Sequence, residues 1–400
     1  MSEKSETLWT KPFLVALFGY FFLFMSVSLF FLLPLFLQQF NPSQSQIGLI
    51  MGIHSIMAIG VRPIFGWLID EKGRRPVSLA GILLLMFTVP FFHLVRDAGA
   101  FPLLLRALTG LGWGISMTAT ITMCSDLAPV ERLAHSMGIV GVAGLVASAL
   151  GPLLAEEIVR QFGFTWLFHL SSIFLLASFA CIFLTRETAR SPTKKNGGHE
   201  AMLKLEGLKP LIIFFMASLP LVHGAIRGAM VNFVALFSRS IGLEHVGPFF
   251  VTFSLAAILT RFWGGGLSDR YGRKKVIFPA ALVIGLNVLF LSQVRNFWML
   301  ILAGFIGGFG QGLIFPALST YVIDTLGREN KGFALSLYLS LFDAGMGLGS
   351  PFFGWLSDLF GYRAMYFLAG LTILIFNAFF TLKAPEPLRQ SSDNSGNKDF

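Results

Sequence analysis

Runs of apolar residues, each closed by a short polar gap, follow one another along the whole chain. A bilayer core takes about 20 apolar residues per helix. Gaps rich in charge, Gly or Pro divide the sequence into twelve windows of that kind, near 13–37, 48–68, 76–95, 101–124, 135–157, 165–184, 210–237, 247–267, 276–294, 298–322, 333–356 and 364–382. The first window follows a polar stretch, Met1 to Lys11, is too long for a signal-peptide core and has no small-residue cleavage site after it. It therefore predicts a retained first span. The pattern predicts an all-α polytopic membrane protein with twelve transmembrane helices.

Composition agrees with that reading. A hydrophobic content of 54%, only 13% charged residues and a mean hydropathy of +0.72 exclude a soluble chain. The net charge of +9 does not indicate nucleic acid, because the basic residues lie in the gaps between apolar runs and so in loops at a membrane surface. Cys124 and Cys181 sit alone in separate apolar runs, which suggests neither a disulfide framework nor a metal cluster. No cofactor is expected.

The placement of Lys and Arg sets the expected orientation. With the N-terminus cytoplasmic, that side holds 21 of the 30, the opposite side holds five (Arg96, Arg160, Arg239, Arg295 and Arg363), and four lie inside windows. Both termini are thus expected on the cytoplasmic side.

The chain also repeats itself. The segment Arg62 to Val77 aligns without gaps with Arg261 to Val276 at an offset of 199, with seven of sixteen positions identical, and the same offset pairs Pro152 with Pro351. Six helices have been duplicated, and the stretch from Arg186 to Lys209, rich in Lys, Gly, Thr and Glu, separates the copies. The expected organisation is an N-terminal tail (1–12), a six-helix half (13–184), a cytoplasmic linker (185–209), a second six-helix half (210–382) and a cytoplasmic tail (383–400). Two parallel six-helix repeats are an architecture of alternating-access secondary transporters.

At the loop between the second and third windows, Gly66-Trp67-Leu68-Ile69-Asp70-Glu71-Lys72-Gly73-Arg74-Arg75 resembles the G-x-L-x-D-R-x-G-R-R/K signature of the major facilitator superfamily, and Gly265 to Lys274 repeats it more faithfully. Arg106 to Gly112 looks like the superfamily's R-x-x-x-G-x-G element in the fourth helix. Gly138, Ala147, Gly151, Pro152 and Ala155 resemble the glycine-rich element of drug and metabolite exporters, with Ala in place of Gly at two positions, and Gly345, Gly349 and Pro351 look like its counterpart in helix eleven. The resemblance covers essentially the whole chain and points to twelve-helix drug:proton antiporters of bacteria. It implies a cytoplasmic gate in which Asp70 faces the start of helix eleven and Asp269 the start of helix five. In the same gate Arg74 or Arg75 would reach Asp126, and Arg273 would reach Asp324. The basic residues there are also read simply as topology signals, while Gly73 and Gly272 suit a turn at positive φ.

Ionisable side chains inside a membrane are costly and mark functional positions by default. Here they are Arg62, Arg106, Glu156, Glu157, Arg227, Arg261 and Asp343. Asp343 is the one acid near mid-membrane and is open to three readings: proton carrier, partner of an arginine, or contact for a cationic substrate. Glu156 and Glu157, near the outward end of helix five, are read as interfacial carboxylates or as a proton entrance. Arg106 is read as a coupling residue or as their ion-pair partner. His223 and Arg227, four apart on one helix face, suit an anionic or amphiphilic substrate, or else Arg227 neutralises Asp343. His54, Gln311 and Asn232 add hydrogen bonds to the cavity or join helices to each other.

The expected function is proton-coupled export of small hydrophobic or amphiphilic molecules by alternating access. The alternative is a proton-coupled uptake symporter of a small metabolite such as an organic anion or sugar. No H-E-x-x-H and no G-x-x-x-x-G-K-[ST] loop occurs, so neither an enzyme nor an ATP-driven pump is expected. The partners implied are a small-molecule substrate, protons and the lipid bilayer, without nucleic acid. The chain is expected as a monomer in a bacterial cytoplasmic (inner) membrane.

Overall fold

The computed structural model describes residues 8–129, 132–188, 210–264, 266–327 and 330–384. Most of the expected linker, the ends of both tails and Gly265 lie outside the described residues, as does the side chain of Asp269. The first span runs through the helix Lys11–Ser28, a 3-10 turn Leu29–Leu32 and the helix Leu33–Gln38. The next five spans are Gln44–Lys72, Arg74–Thr88 with its 3-10 extension Val89–Leu94, Ala100–Asp126, Leu133–Phe162 and Phe164–Leu184. The second repeat holds Pro210–Ser240, Gly247–Gly264 continued by Leu267–Tyr271, Arg273–Ser292, Phe297–Leu326 and a helix Lys331–Lys383 that carries the last two spans.

Ten of these helices are long and apolar enough to cross a membrane. The 53-residue helix Lys331–Lys383 is two spans, because Gly361 adopts φ 79° and breaks it. The eighth span, 18 residues with Arg261 in its last turn, is about 27 Å long and completes the twelve. Local chemistry fixes the starts. Ser43 and Gln46 form a reciprocal capping box at the head of the second span, at 3.2 and 3.1 Å. That box explains why the helix begins four residues before the apolar window does.

The two repeats pack alike. In the first, span one lies on spans five and six, span two on four, and span three on four and six. In the second, span seven lies on eleven and twelve, eight on ten, and nine on ten and twelve. Small hydroxyls join neighbours, as where Ser26 meets Ser171 at 2.7 Å and Ser178 donates to the Gly19 carbonyl at 2.8 Å.

Between the repeats run two seams, span five against eight and span two against eleven. They are tight on the face away from the basic loops. A Cβ at Gly48 or Gly52 would overlap the carbonyls of Ser350 or Gly347, and one at Gly247 would stand 3.0 Å from the Leu153 Cα. Toward the basic face the packing opens, with nothing within 4 Å of a Cβ at Gly60, Gly138 or Gly332. The repeats thus touch on one face and part toward the other.

Gly48→Ala is expected to lower the thermal unfolding midpoint of the purified protein, at an overpacking cost of about 1–3 kcal/mol. Gly60→Ala on the same helix should leave the midpoint unchanged or raise it, because Ala is the better helix former. Equal midpoints for the two variants would contradict the close approach of spans two and eleven.

Candidate functional site

Four guanidinium groups and one carboxylate stand within the spans, those of Arg62, Arg106, Arg227, Arg261 and Asp343. Arg62, on span two, pairs with Asp343, on span eleven, so this ion pair crosses from one repeat to the other. Both side chains are about one-fifth exposed, at 19% and 22%. Of the three readings of Asp343, the structure supplies the arginine, and it is Arg62. Arg227 therefore does not neutralise Asp343. Its guanidinium lies 4.2 Å from the centre of the Phe253 ring of span eight instead.

Of the two readings of Arg106, the ion pair with Glu156 or Glu157 is not formed, and both carboxylates are turned to other partners. The Arg106 side chain is buried, with its guanidinium 5.6 Å from the Phe30 ring. His54 is buried on span two, with Nδ1 3.4 Å from the Thr109 hydroxyl of span four, and so joins helices of the first repeat. His223, on span seven, lies beside Gln311 of span ten and Phe342 of span eleven. Neither of its ring nitrogens makes a well-formed hydrogen bond. Asn232 donates to Ser350 at 2.7 Å, tying span seven to eleven. Of the residues expected to line the cavity, His54 belongs to the first repeat and His223, Arg227 and Gln311 to the second.

On the basic face, Gly73 at φ 102° ends span two and turns directly into span three. The buried Arg74 then reaches Asp126 at 2.8 Å, Asp70 at 3.3 Å and the Ile69 carbonyl at 3.2 Å. The carboxylate of Glu187, just after span six, accepts from the amides of Arg74 and Arg75 at 2.7 and 3.0 Å. Those are orphan donors at a helix start, where negative charge is favoured. Arg75 lies 4.8 Å over the Phe183 ring. The second repeat copies the arrangement: Gly272 has φ 98°, Arg273 binds Asp324 at 2.7 Å and Ser268 at 2.8 Å, and Lys274 donates to the Ala384 carbonyl at 2.6 Å. Gly66 lies within the second helix, whereas Gly265 and the Asp269 side chain fall outside the description.

The opposite face carries contacts that the sequence did not disclose. Glu156, at the end of span five, accepts from the Val246 amide at 3.0 Å and the Gly247 amide at 2.5 Å, and meets His245 Nδ1 at 2.5 Å. It therefore caps the start of span eight in the other repeat. Asp358, at the end of span eleven, does the same for span two, accepting from the amides of Gln44 at 2.6 Å and Ser45 at 2.9 Å. Each seam thus has a carboxylate from one repeat on a helix start of the other. Glu157 turns outward to Arg160 and Gln161. The signal for the Asp358 cap was the Ser43–Gln46 capping box, which marks a helix start awaiting negative charge.

The glycine elements lie within each repeat. A Cβ at Gly151 would overlap Ser28 of span one, one at Gly345 would overlap the Leu221 carbonyl, and one at Gly349 would lie 2.6 Å from the Ala225 Cα of span seven. Gly138 has open space beside it, and Pro152 and Pro351 sit inside their helices. Among the described residues, no group of three or more His, Cys, Asp or Glu is placed to hold a metal.

A duplicated twelve-span bundle whose repeats meet at two seams, with charged side chains between them, is the build of a membrane transporter for small molecules. The model of the family described as the Major Facilitator Superfamily matches residues 16–248 and 228–400, and the chain belongs to that superfamily. It is 25% identical over 388 residues to the multidrug resistance protein MdtG of Citrobacter koseri, covering 93% of this chain and 94% of the relative. To the MdtG of Dickeya zeae it is 24% identical over 396 residues, covering 95% and 96%. The fold is shared with the nucleoside transporter NupG at a TM-score of 0.77 and 13% identity, over 93% of this chain and 99% of the other. It is also shared with the human organic anion transporter MFSD10 at a TM-score of 0.64 and 18% identity, over 92% and 98%.

Removing one partner of the Arg62–Asp343 pair leaves a partly buried charge uncompensated, at an expected cost of about 3 kcal/mol. Arg62→Gln with Asp343→Asn should be more stable in thermal unfolding than Asp343→Asn alone. Additive losses in that double-mutant cycle would show that the pair is not coupled.

Proposed function

We propose that this chain is a proton-coupled exporter of small hydrophobic or amphiphilic molecules that works by alternating access in a bacterial cytoplasmic membrane. The observation that carries the reading is the ion pair between Arg62 and Asp343. One acid on span eleven holds a cation on span two, so its protonation would release one repeat from the other. A group that couples proton binding to movement of the two halves needs that placement. The names of the MdtG relatives, multidrug resistance proteins, support export of drug-like molecules.

The basic face is the cytoplasmic one in this reading, with both termini on that side and the protein acting as a monomer without enzymatic activity. The networks at Asp70, Arg74 and Asp126 in one repeat and at Arg273 and Asp324 in the other then hold the loops that carry the cytoplasmic gate, with Asp269 in the corresponding loop position. The caps at Glu156 and Asp358 hold the outer face closed while the cavity opens inward. Proton coupling rests on Asp343, with Arg62 as its partner.

An uptake symporter for an organic anion is the second reading, favoured by the excess of arginine over acid between the repeats. Everted vesicles with an acidified lumen separate the two readings. Addition of the exported class should release protons from the lumen, and Asp343→Asn should abolish this while substrate exchange persists. Proton-driven substrate accumulation by Asp343→Asn at the wild-type level would overturn the carrier assignment, and substrate movement out of these vesicles with the protons would establish uptake.

A further inference from the structure

The repeat that relates Arg62 to Arg261 also relates Asp343 to Gly144. At one seam the duplicated arginine has its acid. At the other the acid's position is a glycine, and Arg261 has no carboxylate partner among the described residues. The guanidinium has nonetheless kept its place. Its Nη1 stands 3.1 Å from a Cβ built on Gly141, and the Tyr20 hydroxyl stands 2.8 Å from one built on Gly144, one helical turn along the same face of span five.

Two polar groups there are buried without a hydrogen bond: the Arg261 Nε and the Tyr338 hydroxyl. Tyr338 lies within electrostatic reach of both Arg261 and Asp343, and Tyr20 within reach of Arg261. A buried cation without a counter-charge is costly. An arrangement that keeps it is one in which the counter-charge comes and goes.

Rings surround the guanidinium from both repeats. Phe315 lies 5.5 Å from it and stacks edge-on against Tyr338, while Tyr20 leads to Phe24 and on to Trp113 at 5.3 Å. Such walls suit an apolar body attached to the charged head. Arg106 and Arg227, one in each repeat, add two further cations without an acid partner among the described residues.

We propose that the site between Arg261, Tyr20 and Tyr338, opposite Gly144, binds the acidic head of an anionic amphiphile, whose carboxylate takes the position that Asp343 fills at the other seam. This rests on the reading of the chain as a transporter and names the substrate class. Arg261 and the two tyrosine hydroxyls donate to the anion, and the aromatic walls receive its tail.

The test is equilibrium binding of octanoate to the purified protein by titration calorimetry, with octanol and octylamine as matched probes of other charge. Wild type should bind octanoate and prefer it to both. Arg261→Gln should weaken octanoate binding roughly 30-fold or more, as expected for removal of one partner of a buried charged contact, and leave octanol unchanged. A second variant keeps a cation at the same position. Arg261→Lys should retain the preference for octanoate over octanol that Arg261→Gln loses. No preference of wild type for octanoate, or Arg261→Lys and Arg261→Gln binding it equally, would overturn the proposal. Binding needs no gradient, so failure of proton coupling in vesicles leaves this result standing, and the reverse holds too.

Discussion

A helix start in a membrane protein presents unpaired amides that water or a negative charge must satisfy. In this chain two of them, at the heads of spans two and eight, are satisfied by carboxylates of the other repeat. Those contacts set the rest of the arrangement. They bring span two onto eleven and span five onto eight, where glycines allow backbones to meet, and they leave the basic ends of the same helices apart. Each cap is worth about 0.3–2 kcal/mol, an energy small enough for a conformational equilibrium to overcome and large enough to bias it.

The duplication makes the two seams alike, and its divergence makes them different. Arg62 and Arg261 are copies, yet one meets Asp343 and the other faces a glycine. A symmetric pair of ion pairs would tie the repeats together twice. One pair and one cation without an acid among the described residues leave the two seams unequal in charge.

The fold was legible because its signals are local. Apolar windows gave the spans, the offset of 199 gave the repeat, and Gly73 and Gly272 marked turns that require positive φ. What joins the repeats was not legible. Arg62 and Asp343 lie 281 positions apart, and no periodicity within either helix tells which arginine the acid meets. Glu156 read as an interfacial residue because nothing in its own helix shows that another helix begins beside it. Glu187 and Asp358 were hidden among loop charges, where an acid that caps a helix looks the same as one that faces water.

The carboxylates of Glu156 and Asp358 hold the two repeats together on the face away from the basic loops. Spin-label distances in lipid nanodiscs test it directly, with one pair of labels at Gln161 and Glu244 on that face and another at Lys72 and Lys331 on the basic face. Replacing the caps together, as Glu156→Gln with Asp358→Asn, is expected to lengthen the first distance and shorten the second. Distributions unchanged from those of the capped protein at both pairs would contradict the account.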